Sequence, residues 1–207
     1  MPHQVLVICG DQYHSADDVM LGLALAGKTD FHFHQADSAA LLAGDATFDA
    51  VVLATLNVKT AEDPCPWADE PGDQLIREFV SSGRGLLVIH AGTVGYHSAP
   101  GIRELTGGAF QHHPEACDVD LVPSSHPVAS GVAPFTVHDE HYFGEVDSGV
   151  EIFLTSFSKH GEQPAGWTMA CGNGRICTLT PGHGSSVWGD ESFQCLLHNA
   201  LHWVSHG

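Results

Sequence analysis

Three stretches of this chain are apolar almost from end to end: QVLVICG (4–10), the middle of FDAVVLATL (48–56) and RGLLVIHAG (84–92). A strand with one wet face alternates apolar and polar residues, whereas an unbroken apolar run needs cover on both faces. Helical segments lie between the runs. In SADDVMLGLALAG (15–27), Ser15 can cap the first turn, Asp17 and Asp18 suit its positive end, and Gly27 can stop the helix. A second helix at about 71–82 places Leu75, Ile76, Phe79 and Val80 on one face. DFHFHQ (30–35) alternates and belongs nearer a sheet edge. The first 92 residues thus read β-α-β-(short α)-β-α-β, which predicts a parallel sheet with right-handed crossovers.

The middle of the chain is less regular. GIRELTGGAF (101–110) starts as a helix and breaks at Gly107-Gly108. Short strands are expected at 117–122 and near 135–138, then at 150–157, 164–172 and 174–184, with CGNGR as a hairpin turn. In the last segment Phe193, Leu196, Leu197, Ala200, Leu201 and Val204 follow helical spacing and face a core. No internal repeat or linker divides the 207 residues, so residues 1–207 are read as a single α/β domain with a mainly parallel central sheet flanked by helices.

Charge narrows the partners. Asp and Glu number 25 against 7 Lys and Arg, a formal charge of −18. Such a surface repels phosphate backbones and anionic membranes. No stretch reaches the ~20 apolar residues of a membrane span, and the N-terminus lacks the features of a signal peptide. The expected location is therefore cytoplasmic. The expected partner is a small molecule, with self-association into a homo-oligomer left open. Cys9, Cys65, Cys117, Cys171, Cys177 and Cys195 are scattered without a C-x-x-C pair and are expected as free thiols.

Histidine is the residue in excess, with 16 in the chain. Ligands of open parallel sheets bind beyond the carboxyl ends of the strands. That rule selects Asp11 and Gln12 after the first strand, Asn57 after the third, His90 to Thr93 after the fourth, and His183 after the strand at 174–180. Small residues around His90 (Ala91, Gly92) and His183 (Gly182, Gly184) let a ligand approach the backbone. VHDEHYFGE (137–145) gathers His138, Asp139, Glu140, His141 and Tyr142. Histidine with carboxylate suits Zn²⁺ or a similar ion, and a catalytic site needs three such ligands and an open position. His112, His113 and His126 precede or flank prolines and read as structural or supporting groups, with His113 retained as a substrate contact. HNALH (198–202) has the spacing of a zinc-protease helix, but Asn199 stands where the general-base Glu is needed, so a solvated helix face is expected. No cysteine sits in a strand-to-helix elbow, and G-x-S-x-G, G-x-G-x-x-G and P-loop patterns are absent.

GRGLLVIHAGT, LTGGAFQHHP, HPVASGV, HDEHYF, PAGWTMACGNGRICTLTPGHG and a C-terminal helix with Trp203 occur in this order. The set resembles the ThuA-like (trehalose-utilisation) family over residues 4 to 205. The resemblance implies a flavodoxin-like, class I glutamine amidotransferase-like fold without the cysteine nucleophile, and a role in the catabolism of sugars, especially disaccharides oxidised at carbon 3. It also implies that His90 stands at or beside the lost nucleophile and that His183 stands near the amidotransferase catalytic histidine, with Glu140 the natural carboxylate to join them. The expectation is a metal-assisted hydrolase or lyase acting on a sugar derivative such as a 3-keto-glycoside. His90, Glu140 and His183 would hold Zn²⁺ or a similar divalent ion, and His138, Asp139 or His141 would orient ligands or move protons. Asp11, Asn57, Thr93, Tyr96, His113, Tyr142 and Trp188 would form the substrate surface. The alternative is a non-catalytic carbohydrate-binding or sensing module; a cysteine amidotransferase is excluded.

Overall fold

β1 (His3–Cys9) lies between β2 (Phe31–Ala36) and β3 (Ala50–Ala54), and β3 pairs with β4 (Gly85–Ile89), which pairs with β11 (Gly174–Leu179). All four pairings are parallel. The computed structural model describes residues 1–45 and 47–206. Beyond β11 the sheet continues antiparallel through β10 (Gly161–Cys171), β9 (Glu151–Ser158), β6 (Cys117–Pro123) and β7 (Phe135–Asp139). The order is β2-β1-β3-β4-β11-β10-β9-β6-β7. The expected parallel sheet is thus one half of a mixed sheet. A separate antiparallel ribbon pairs β5 (Gly108–His112) with β8 (Phe143–Val146).

The apolar runs are buried on both faces, as their composition requires. Val5, Val7, Leu87 and Ile89 point to the face covered by α1 (Ala16–Gly27) and α5 (Glu191–Ser205), where Leu23, Leu196, Leu197 and Leu201 meet them. Leu6, Ile8, Val51, Leu53, Leu86 and Val88 point to the other, covered by α2 (Glu70–Ser81) and α3 (Pro100–Thr106) through Ile76, Val80 and Ile102. Each such side chain contributes roughly 1.5–3 kcal/mol by burial. Ser15 caps α1 by accepting from the Asp18 amide, Asp69 caps α2 through Gly72, and Asp190 caps α5 through Ser192 and Phe193.

The short helix expected between β2 and β3 is a 3₁₀ turn, Ala39–Ala43. β5, β8 and the one-turn α4 (Ser185–Trp188) have no counterpart in the sequence reading. β5 and β8 are short, and each finds its partner more than 30 residues away, so tertiary pairing rather than local pattern makes them strands. α3 ends where Gly107 takes a left-handed φ of 65°. Among the described residues no helix is long and apolar enough to cross a membrane.

Candidate metal centre

His90 leaves β4 with φ at 45°, a left-handed conformation uncommon for a side-chain-bearing residue. The turn it opens, His90–Thr93, is buried throughout. A side chain at Gly92 would collide with the Leu53 carbonyl, which explains the glycine. The turned backbone aims the His90 ring over the sheet end. Its Nδ1 lies 2.7 Å from the Thr180 carbonyl oxygen, so Nδ1 carries the proton and donates, and Nε2 presents a lone pair.

His14 repeats this arrangement from the first strand. Its Nδ1 is 2.8 Å and 3.0 Å from the two oxygens of Asp11. Asp11 is itself held by the backbone amides of Tyr13, His14 and Leu56. Burial would raise the Asp11 carboxyl, but the His14 ring and the Leu56 and Tyr13 amides outweigh it and hold the group below the usual carboxylate range. An ionised Asp11 can only accept, so His14 also presents Nε2 as a lone pair.

His183 follows β11 in the turn before α4. Its backbone amide and that of Gly182 donate to Asp139 at 3.1 Å and 2.8 Å. Asp139 is the last residue of β7, so this buried carboxylate ties the far edge of the sheet to the His183 turn. The next residue, Glu140, thereby reaches the centre.

The four side chains converge. Glu140 Oε2 is 3.4 Å from His90 Nε2 and 3.2 Å from His183 Nδ1. One ligand atom from each of His14, His90, Glu140 and His183 lies within 4.8 Å of all the others. His14 Nε2, His90 Nε2 and His183 Nδ1 are buried and have no hydrogen-bond partner. A buried polar atom without a partner is costly. Here two of the three lone pairs are enforced by acceptors behind the rings, and a carboxylate faces all of them. A cation removes that conflict. Tetrahedral ligands at zinc distances lie roughly 3.4 Å apart, close to the separations seen around Glu140. The group can hold a metal ion, with Asp11 and the Thr180 carbonyl as the outer partners that metal-binding histidines use.

Burial pushes Glu140 up, and the rings of His90, His183 and His113 more than compensate, leaving it below its ordinary value. His183 is lowered, first by burial and then by His90 and His14, against the opposing pull of Glu140 and Asp139. Tyr142 stacks on His90 with centroids 3.9 Å apart, and burial followed by Glu140, Asp139 and Asp11 holds its hydroxyl protonated. His113 stands at the rim, Nε2 3.6 Å from Glu140 Oε1, with Nδ1 2.8 Å from the Pro114 carbonyl.

Residues 4–204 match the model of the family described as ThuA, trehalose utilisation. The chain belongs to the ThuA family. Its fold is shared with a ThuA-like protein of Parabacteroides merdae ATCC 43184 at 18% identity, TM-score 0.81, covering 100% of this chain and 91% of that one. A cytoplasmic protein of Salmonella typhimurium LT2 matches at 15% identity, TM-score 0.63, with 97% and 99% covered. A β-galactosidase from Rahnella sp. R3 carries the same fold in 31% of its length, with 98% of this chain covered, at 11% identity and TM-score 0.67. These likenesses show the fold. No curated protein matches the sequence.

Not every residue singled out in this ThuA chain reaches the centre. The structure brings together His90, Glu140 and His183, with Thr93, His113 and Tyr142 beside them. Thr93 supports the turn by donating to the His90 carbonyl. His138 is elsewhere: strand alternation turns it outward, and it pairs with Asp118 at 3.0 Å on the exposed edge of the sheet. Asp11 lies behind His14 rather than in front of a substrate. Asn57 is fully buried and spends its amide on Gly95, Ser98 and the Ala68 amide. Tyr96 is buried with its hydroxyl on the Thr55 carbonyl, and Trp188 is buried with its indole N–H on Gly182, so neither offers a stacking face. His14 is the member the sequence reading missed. The signal was there: Asp11 and His14 are three apart in a turn leaving a buried strand, the spacing that lets a carboxylate hold an imidazole.

Proposed function

We propose that this ThuA protein is a metal-assisted hydrolase or lyase acting on a sugar derivative such as a 3-keto-glycoside, with a divalent ion, Zn²⁺ first, held by His14, His90, Glu140 and His183. One observation carries this reading: three buried imidazole nitrogens without partners surround one carboxylate. A bound divalent ion would supply Lewis-acid polarisation of a carbonyl or a more acidic bound water.

The chain's own groups supply the rest. Asp11 and the Thr180 carbonyl fix the protons of His14 and His90 on Nδ1, which keeps both rings aimed inward. His113 has its Nδ1 proton on Pro114, leaving Nε2 open at the rim to accept a proton from the substrate. In a 3-keto-glycoside the ketone acidifies the hydrogen on carbon 2, next to the glycosidic carbon. Removing that proton and releasing the glycosidic oxygen needs a base and a donor, and the protonated Tyr142 hydroxyl suits the second role. Lys59, Arg77, Arg84 and Arg103 pair with Asp37, Glu104, Asp49 and Asp147, and Arg175 lies over Trp203. Among the described residues no Lys or Arg pairs with Glu140, whose ionic neighbours are His90, His113 and His183, so an unphosphorylated sugar is the better fit. A cytoplasmic setting accords with the free cysteines.

The test is elemental analysis of the purified chain, followed by assay of the zinc-loaded, chelator-stripped and His90→Ala forms for release of the alcohol from a 3-keto-glycoside. Stoichiometric metal with release only in the loaded wild type supports the proposal. Absence of metal after loading overturns it.

A further inference from the structure

The histidines of α5 stand apart from this centre. His198, His202 and His206 recur every four residues along one stripe of the helix and its end. The rings of His198 and His202 have centroids 4.5 Å apart, and those of His202 and His206 5.5 Å apart. His3, at the start of β1, meets His206 edge-on at 4.8 Å. The proton positions are again set from behind. His198 Nδ1 faces the Ala26 carbonyl at 2.9 Å, and His206 Nδ1 faces the His202 carbonyl at 2.7 Å. Both therefore present Nε2 lone pairs. Asp30 Oδ2 lies 3.5 Å from His202 Nε2.

We propose that His198 and His202 form a second, half-buried binding site for a divalent transition ion, with the Asp30 carboxylate beside His202. Two imidazoles one helical turn apart are a bidentate chelate, and imidazole suits Cu²⁺, Ni²⁺ and Zn²⁺. The site lies in the last two turns of α5, where the helix dipole favours a cation. The chain's charge of −18 adds a field that concentrates cations at the surface. The site is independent of the metal centre and of the reaction assigned to it.

Cu²⁺ titration of the untagged, zinc-loaded chain, followed by its visible absorption, tests this. Wild type is expected to take up one Cu²⁺ that the His198→Gln/His202→Gln double variant does not, with each single variant weakening it at least tenfold. Ni²⁺ and Zn²⁺ should follow more weakly than Cu²⁺. A control pair, His32→Gln and His34→Gln, should leave that uptake intact, because it removes a different adjacent ring pair, whose centroids are 4.6 Å apart on β2. The thermal midpoint of each variant reports folding, and His202→Gln alone decides the matter if the double variant is unstable. Equal uptake by wild type and His202→Gln, or loss only in the β2 pair or in His90→Ala, overturns the proposal.

Discussion

The two halves of the sheet differ in how they carry the centre. The parallel half, β2-β1-β3-β4-β11, delivers His14, His90 and His183 from the carboxyl ends of three buried strands. The antiparallel half delivers one side chain, Glu140, from the irregular residues after its edge strand β7. In the first half His90 is aimed by its own turned backbone and His14 by the nearby Asp11. In the second, aim depends on Asp139, whose oxygens accept from the Gly182 and His183 amides across the join. A scaffold of apolar strands can therefore place neutral ligands, while the sole carboxylate, costly to bury alone, arrives on the part that must be latched.

The largest expected effect breaks the comparison outright. Glu140→Ala should abolish stoichiometric metal, a loss exceeding the roughly 10–100-fold cost of removing an outer partner, while the thermal midpoint of the metal-free protein stays near wild type. Elemental analysis and a melting curve measure both. Full metal content in the variant would mean that the parallel half holds the ion unaided.

Next, Asp139→Ala cuts the latch and leaves three amide groups, those of Glu140, Gly182 and His183, without their acceptor. About 2–4 kcal/mol of stability should be lost, seen as a lower urea midpoint, with metal loss following. An unchanged midpoint would show that Glu140 is placed by the ribbon β5–β8 instead. Asp11→Asn is milder and confined to the parallel half. An amide can donate as well as accept, so the His14 proton is no longer fixed on Nδ1. Metal affinity should fall about 10–100-fold, measured by competition with a chelator, with a stability loss smaller than that of Asp139→Ala, since the new NH2 group must face either the Leu56 amide or the Tyr13 and His14 amides.

The same division governs what could be read from sequence. The runs at 4–10, 48–56 and 84–92 announced buried parallel strands, and the carboxyl-end rule led to His90 and His183. His14 escaped because four residues of turn separate it from the end of β1, and only the Asp11 carboxylate brings it back. In the antiparallel half the pattern is weaker, because those strands are partly exposed and the pairing of β6 with β9 joins segments more than 30 residues apart. HDEHY showed that ligands were concentrated there. It did not show which side chain turns inward: His138 and Glu140 differ by two residues, yet one sits on the exposed sheet edge and the other beyond the strand, where the alternation has ended. Tyr96 and Trp188 were misread for another reason, since an aromatic near a strand end is as well suited to closing the core as to stacking on a sugar.

The smallest expected effect sharpens the contrast by pH. His126, beside the antiparallel half, accepts the Val128 amide through Nδ1 at 3.1 Å and stacks on Phe153 of β9 with centroids 5.1 Å apart. Burial lowers its affinity for a proton, against a weaker opposing pull from Glu151. Protonation would set an N–H donor against the Val128 N–H. Because the folded value lies below the unfolded one, about 6.5, the folded state binds fewer protons in that range. The contribution of His126 is then fully present above the unfolded value and is lost as pH falls through it towards the folded value. His202 is lowered in the same direction, so its contribution fades over the same window. Urea midpoints of the metal-free protein at pH 7.5 and 5.5 should therefore fall, and the fall should shrink in His126→Asn, whose side-chain oxygen can still accept from Val128 without titrating. The metal-free form matters, since proton competition at the centre would otherwise mask a change of this size. If wild type and His126→Asn lose stability equally between the two pH values, the acid sensitivity belongs to other groups, and the antiparallel half is no weaker on this count than the parallel one.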